Sequence, residues 1–139
     1  MRQGLDAFVA AQDRVWPQVE AELAAGRKVT HWMWFVFPQV AGLGRSETAR
    51  FYALDGLREA RAYLAHPVLG PRLRRAVDLM LGDAGEDATE ILGGIDAVKF
   101  RSCLTLFAEA DPGDPRFAAA LAAFCDGPDP ATLEILGLM

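Results

Sequence analysis

The sequence contains few cysteines, few lysines and no long apolar segment. Its two cysteines, Cys103 and Cys125, are too few for the disulfide framework of a small secreted domain. The longest uninterrupted apolar run covers residues 32–38, far below the ~20 residues that span a bilayer. No charged start is followed by a long apolar core, so no secretory signal is predicted. We therefore expect a cytoplasmic protein with free thiols and no membrane partner.

The overall composition is that of a soluble globular chain. Apolar residues make up 52% and charged residues 24%, which excludes a highly charged disordered chain. The 13 glycines and 8 prolines are spread along the sequence, which argues against a collagen-like or low-complexity chain. A length of 139 residues suits one domain and is short for two, so we predict a single domain over residues 1–139.

Helix start and stop signals recur along the chain and predict an all-α fold of about eight to ten short helices. Pro17 suits the first turn of a second helix, and Gly26 suits its end. The strongest amphipathic pattern predicts a helix over residues 95–108. Side chains that can cap a helix N-terminus stand before several of the predicted helices: Thr30, Ser46, Asp55, Asp114 and Asp129.

Residues 32–37 are the one ambiguous segment. The run fits a short helix that Pro38 closes, and it also fits a buried strand, because short apolar runs are compatible with both. No alternating pattern elsewhere in the chain predicts a strand.

Charge is distributed unevenly. Residues 27–75 carry nine Lys or Arg against three acids, a net charge of +6, and residues 76–139 carry three against twelve, a net charge of −9. The basic segment could hold a small anion, or it could be a helical surface whose bases pair with acids elsewhere. An acidic chain is a poor general nucleic-acid binder, so no nucleic-acid partner is predicted.

The first candidate site is the aromatic run and its polar flanks. Two Trp, two Phe and a Met fall within residues 32–37, and Lys28, His31 and Gln39 bracket them. The run could wall a pocket that stacks a planar ring, or it could be a core segment whose indole N–H groups find carbonyl partners. His31 is the best general acid–base candidate, because its ordinary pKa lies near neutrality.

The second candidate is the loop Gly42-Leu43-Gly44-Arg45-Ser46. Its glycines permit close backbone approach, Arg45 offers a charged fork and Ser46 a hydroxyl, all of which suit an anion. The alternative is a plain loop with a helix cap. The loop matches neither the Walker nor the dinucleotide fingerprint.

The third candidate is the segment around Lys99. Only two of the fourteen bases are lysines, Lys28 and Lys99. On a helix Lys99, Ser102 and Cys103 share one stripe, so Lys99 either lies at the core edge, with Asp96 as its ion-pair partner, or points into a pocket. Cys103 is a nucleophile only if a basic neighbour lowers its pKa, and a buried inert thiol is the other interpretation. No Cys or His spacing predicts a metal site, and no cofactor is predicted.

Four separated segments together carry a family resemblance. They are His31-Trp32-Met33-Trp34-Phe35-Val36-Phe37-Pro38-Gln39, then Gly42-Leu43-Gly44 with Ser46, then Tyr63-Leu64 with His66-Pro67-Val68-Leu69-Gly70, and finally Asp96-Ala97-Val98-Lys99 with Ser102 and Leu104-Thr105-Leu106-Phe107. In these segments, and over residues 5–136, the chain resembles the domain of unknown function 1810 family. The resemblance implies a small, single-domain, mainly helical protein and no established activity.

We hypothesise a pocket for a phosphorylated, nucleotide-like small molecule. Trp32 and Trp34 would form its apolar wall, and His31 and Gln39 would contact the polar edge of the ligand. In any reaction there, His31 would act as acid–base and Lys99 would stabilise the anion. The other candidate ligand-binding groups are polar or backbone groups near the phosphate: Lys28, Gly44, Arg45, Ser46 and Ser102.

The rival hypothesis is a non-enzymatic interaction module. In that case the aromatic run is core, and the charge split guides association with a second copy or with another protein. Convergence of the polar candidates on one cleft favours the pocket, whereas their dispersal over separate faces favours the module.

Overall fold

In this computed structural model the described residues, 4–139, form ten helices and no strand, which confirms the predicted all-α class. The helices are, in chain order, α1 (Asp6–Asp13), α2 (Trp16–Ala24), α3 (Met33–Val36), α4 (Glu47–Phe51), α5 (Leu57–Ala65), α6 (Leu69–Gly82), α7 (Ala88–Leu92), α8 (Gly94–Ala110), α9 (Pro115–Phe124) and α10 (Pro130–Ile135). The ambiguous aromatic run is therefore a single helical turn, α3, and not a strand.

Most of the predicted helix starts are confirmed. Pro17 lies in the first turn of α2. The side chain of Ser46 accepts the Ala49 N–H at the start of α4, and Asp114 and Asp129 cap α9 and α10 in the same manner. These side chains satisfy backbone donors that a helix leaves free in its first turn.

Two predicted caps are wrong. Thr30 does not cap α3, because Trp32 stands at that position and Thr30 binds Glu22 instead. Asp55 does not cap α5, because Gly56 does, and the Asp55 N–H donates to the Glu59 carboxylate at 3.1 Å.

Helix α8 lies at the centre of the fold and packs against α5, α7, α9 and α10. Burying each large apolar side chain of this core contributes about 1.5–3 kcal/mol. Phe100 meets Phe37 at 4.8 Å between ring centroids, and Phe107 meets Tyr63 at 5.5 Å. These contacts fix α5 and the residue that follows α3 at two positions along α8.

One long loop is closed by a pair of buried residues. Val40 and Leu54 form an isolated parallel bridge, in which the Ala41 N–H donates to Leu54 O at 2.7 Å and the Leu54 N–H donates to Gln39 O at 2.9 Å. The intervening residues, which we call the 41–53 loop, include the short helix α4.

Several bases of the segment 27–75 form ion pairs with acids elsewhere in the chain. Three arginines on α6 pair in this way: Arg72 with Asp13 at 2.8 Å, Arg74 with Asp114 at 3.4 Å and Arg75 with Glu20 at 3.4 Å. Their positive charge is therefore locally balanced, as the paired-surface interpretation requires. Each such pair contributes little to stability, about 0–1 kcal/mol.

Across residues 4–139, every helix is too short or too polar to cross a bilayer.

Candidate functional site

The position of the aromatic run is set by a buried carboxylate on α2. Glu22, which is only 8% exposed, accepts hydrogen bonds from the N–H groups of Val29 at 2.7 Å and Thr30 at 3.0 Å. It also accepts the Thr30 hydroxyl at 2.7 Å and the indole N–H of Trp32 at 3.0 Å. Burial acts to raise the pKa of Glu22, but these hydrogen bonds outweigh it and lower the pKa to about 2. Glu22 therefore holds the chain just before α3 as a charged acceptor.

A second buried side chain holds α3 from the other side. The Gln12 Nε2 donates to Phe35 O at 2.6 Å and to the Tyr63 hydroxyl at 2.9 Å, and that hydroxyl donates to Phe35 O at 3.3 Å. Burial raises the pKa of Tyr63, so the phenol stays protonated and remains a donor. The single turn of α3 is thus fixed by groups from α1, α2 and α5.

Trp32 belongs to the core, and Lys28 lies against it. Trp32 is fully buried, and the Lys28 Nζ lies 5.1 Å from the centre of its ring. The Lys28 side chain is 8% exposed and forms an ion pair of 3.0 Å with Asp96. Trp32 therefore cannot stack a ligand as expected for a pocket wall, and Lys28 is already committed to Asp96.

Trp34, Gln39 and Lys99 meet at one cleft. The Lys99 Nζ lies 5.5 Å from the centre of the Trp34 ring and 3.9 Å from Asp96, and its side chain is 28% exposed. The cleft has a volume of about 20 Å³, which is room for about one water molecule. Its walls come from α3, from the 41–53 loop and from α8: Met33, Trp34, Phe37, Gln39, Ala49, Tyr52 and Lys99.

The glycine loop lies directly behind this cleft. A Cβ on Gly44 would fall 2.5 Å from the Cβ of Ala49, so only glycine lets the loop approach that cleft-lining residue. The Ser46 Oγ accepts the Ala49 N–H at 3.1 Å and so serves as a helix cap. The Ser46 hydroxyl is therefore engaged as a cap, and the phosphate site expected on the backbone of Gly44 and Ser46 stays a prediction. Arg45 is exposed and remains the loop's cationic candidate.

His31 and Ser102 do not join the cleft. His31 is exposed, and it is absent from the described lining of the cleft. The Ser102 hydroxyl lies within hydrogen-bond distance of Val98 O, at 3.3 Å, and of the Asp129 carboxylate, at 3.0 Å, so it anchors the start of α10. Of the predicted site residues, the described lining of the cleft includes Trp34, Gln39 and Lys99. The others lie outside that lining: Lys28, His31, Trp32, Gly44, Arg45, Ser46 and Ser102.

Cys103 has the environment of an inert thiol. It is fully buried in α8, and burial raises the pKa of its thiol well above the ordinary value. A thiol that resists ionisation is a poor nucleophile, which favours the structural interpretation over the catalytic one.

Sequence reasoning missed three residues that shape the site. Tyr52 forms a wall of the cleft, and nothing in its local pattern distinguishes it from any other aromatic residue at a helix end. Glu22 did carry a signal, because it shares the inward stripe of α2 with Val19 and Leu23, where a lone carboxylate is rare. Gln12 similarly lies beside Phe8 on the inward face of α1.

These features define a small all-α protein with one aromatic cleft between α3, the 41–53 loop and α8. Within residues 4–139, no group of His, Cys, Asp and Glu side chains could hold a metal ion. The chain belongs to the family described as protein of unknown function DUF1810, whose model matches residues 2–136, and the predicted family resemblance is confirmed.

A solved structure has the same fold. The conserved hypothetical protein Rv1873 from Mycobacterium tuberculosis is 45% identical in sequence, and the match covers 97% of each chain with a TM-score of 0.94. No match was found among the curated proteins.

Proposed function

We propose that the chain binds a phosphorylated, nucleotide-like small molecule at the cleft beside Trp34. The observation that carries the proposal is the meeting of Trp34 and Gln39, which stand close together in the sequence, with the distant Lys99 of α8. Each supplies a different element of recognition for such a ligand. A few convergent polar groups on an aromatic wall are typical of small-molecule sites.

We assign a different part of the ligand to each of these residues. Trp34 and Tyr52 offer aromatic faces to a planar base. The Gln39 side-chain amide offers both a donor and an acceptor for the edge of the base. Lys99 supplies the charge for the phosphate, and we propose Arg45, an exposed residue of the 41–53 loop outside the described lining of the cleft, as a second cation.

Lys99 is the lysine that is available to a ligand. Both lysines share Asp96, but Lys28 holds it at 3.0 Å and Lys99 only at 3.9 Å. Lys99 is also the more exposed of the two, at 28% against 8% for the side chain. Since the tighter pair already balances Asp96, an incoming phosphate replaces a weak contact of Lys99 rather than a strong one.

We propose binding here and assign no reaction. His31 was the acid–base candidate, and its exposed position leaves the described lining of the cleft without a histidine. Lys99 remains as an electrostatic group for the anion. We further propose that the protein is cytoplasmic. We also propose that it has no nucleic-acid partner, because the segment 76–139 carries a net charge of −9.

Thermal unfolding with added nucleotides tests the proposal. We expect AMP, ADP or ribose 5-phosphate to raise the unfolding midpoint of the wild-type protein, because a ligand at 100 times its Kd stabilises the folded state by about 2.7 kcal/mol. Lys99→Met is expected to abolish the shift. Arg58→Met, which removes an exposed positive charge outside the described lining of the cleft, is the matched control and is expected to retain it. The proposal fails if no compound shifts the wild-type midpoint, or if Lys99→Met retains a shift of full size.

One observation favours the interaction module as a second candidate. Ile95 and Val98 stand one helical turn apart on α8 and are 77% and 66% exposed. Apolar side chains this exposed are common singly, but two on one face can form the centre of an interface. Light scattering on the purified chain distinguishes the two: the module predicts a dimer that Val98→Glu dissociates, and a monomer at all concentrations argues against self-association.

A further inference from the structure

We propose that the 41–53 loop is a lid over the Trp34–Lys99 cleft and opens as a unit about a neck formed by Val40 and Leu54. This inference rests on the proposed function, because it supplies the ligand's route into the same cleft. The closed cleft is too small for such a ligand, because it holds about 20 Å³ whereas small-molecule pockets occupy about 300–1,000 Å³. Binding therefore requires the loop to open.

Burial changes abruptly at the two ends of the loop. Val40 and Leu54 are 1% and 0% exposed, and they belong to the core. None of residues 41–53 is buried, and α4 has no buried residue at all. Segments with few buried contacts open at a lower free-energy cost than the core to which they are attached. The loop is therefore a weakly held segment with firmly held ends.

The hydrogen bonds also separate the loop from its two ends. Two backbone hydrogen bonds close the neck: the Ala41 N–H donates to Leu54 O at 2.7 Å, and the Leu54 N–H donates to Gln39 O at 2.9 Å. Among the described residues, the hydrogen bonds of residues 42–50 are made within the loop. For example, the Ala49 and Arg50 N–H groups both donate to Ser46. Outward rotation of the loop about its neck therefore breaks none of these. This is the arrangement of a compact surface loop with adjoining ends, a class that is frequently functional.

Apolar contacts hold the lid closed, because Leu43 and Tyr52 are partly buried and pack against the core. Tyr52 meets Phe8 and Phe35 at 5.4 Å between ring centroids. Tyr52 and Ala49 are the two residues that the loop contributes to the cleft. Opening withdraws both and leaves Trp34, Gln39 and Lys99 on the body of the protein, so that a base can stack before the lid closes on it. The other side of the loop borders a hollow of about 500 Å³, lined in part by Glu47, Arg50 and Phe51.

Hydrogen–deuterium exchange on the full chain, read by mass spectrometry, tests the lid without any ligand. We expect amides of the 41–53 loop to exchange faster than the amides of α8 in the wild-type protein. Ser46→Ala removes the cap of α4 and is expected to speed exchange across residues 47–52 about 2- to 30-fold. The matched control is Asp114→Ala, which removes the cap of α9 and is expected to leave the loop's exchange unchanged relative to α8.

AMP is then added as the probe, with its binding followed by calorimetry. Binding of AMP together with slower exchange of the 41–53 loop supports the lid. The lid is overturned if the loop exchanges as slowly as α8, if Asp114→Ala speeds the loop as much as Ser46→Ala, or if AMP binds and the loop's exchange stays the same. If AMP and its relatives do not bind while the loop opens locally and responds to Ser46→Ala, the lid stands and the proposed function fails.

Discussion

The Glu22 carboxylate accepts a hydrogen bond of 3.0 Å from the indole N–H of Trp32. This contact links α2 to Trp32, the residue that precedes α3, and so fixes the start of α3 relative to α2. Two residues later the chain presents Trp34 to the cleft, while Trp32 stays fully buried. The two tryptophans therefore have different roles: Trp32 anchors the segment in the core, and Trp34 is available to a ligand.

Glu22→Gln is expected to lower the free energy of unfolding by about 1.5–3 kcal/mol, the contribution of hydrogen bonds to a charged group. The amide keeps the size of the side chain but loses the charge and one acceptor oxygen. Urea denaturation measures the change. Glu20→Gln on the same helix is the control, because Glu20 forms only a surface pair with Arg75 and its loss should cost less than about 1 kcal/mol. Equal losses in the two variants would contradict the role of Glu22.

The stability supplied by Glu22 is expected to depend on pH in the acidic range only. Its pKa is about 2 in the folded protein and 4.5 in the absence of these contacts. Because the folded pKa is the lower one, the contribution is complete above about pH 4.5 and is lost as the pH falls towards 2. The difference in unfolding free energy between wild type and Glu22→Gln should therefore be constant from pH 7 to 5 and shrink from pH 4 to 3. A difference that stays constant down to pH 3 would contradict the assignment.

The helical class and most helix starts could be predicted because their causes are local. Pro17, Ser46 and Asp114 act within one turn of their own position, and each stands where expected. Thr30 shows where local reasoning ends. It has the side chain of a cap, but Glu22 offers a stronger, charged acceptor from another helix, and only the tertiary fold brings the two together.

The assembly of the candidate site likewise could not be predicted from local sequence patterns. Trp34 and Gln39 could be selected because the aromatic run and its polar flanks stand out in the sequence, and Lys99 because lysine is rare in this chain. Their meeting, however, depends on how α3 packs against α8. Trp32 has the same chemistry as Trp34 and lies two positions away, yet the packing of one helical turn puts it inside the core. Tyr52 enters the cleft through the path of the 41–53 loop, which no local pattern determines.

Lys28→Met is expected to destabilise the protein strongly, whereas Lys99→Met is expected to abolish binding at little cost in stability. Lys28→Met leaves a mostly buried Asp96 without its closest partner and should cost about 3 kcal/mol, near the lower end for a broken buried pair. Lys99→Met removes a longer, partly exposed contact and should cost less than about 1 kcal/mol. Chemical denaturation checks both values. A larger loss for Lys99→Met would mean that Lys99 is a structural residue.

Ser102→Ala is expected to loosen the last helix and to leave the cleft unchanged. The Asp129 carboxylate accepts hydrogen bonds from Ser102 and from the N–H and hydroxyl groups of Thr132, and these hydrogen bonds outweigh burial and lower the pKa of Asp129. Removing one of them should cost about 1 kcal/mol and speed hydrogen exchange in α10. If Ser102→Ala instead abolishes nucleotide binding and leaves stability unchanged, Ser102 belongs to the binding site.

The two thiols are expected to differ in their reaction with a thiol reagent such as 5,5′-dithiobis(2-nitrobenzoate). Cys103 is fully buried and Cys125 is half-buried, and burial raises the pKa of both, although Arg101 partly opposes the shift at Cys125. At pH 8 the folded protein should therefore react slowly and at Cys125 only, since the thiolate is the reactive form and Cys103 is out of reach. Cys125→Ser should show no reaction until denaturant is added, and Cys103→Ser should react like the wild type. Fast labelling of Cys103 in the folded protein would show that α8 opens to solvent, and it would restore the nucleophile hypothesis for that residue.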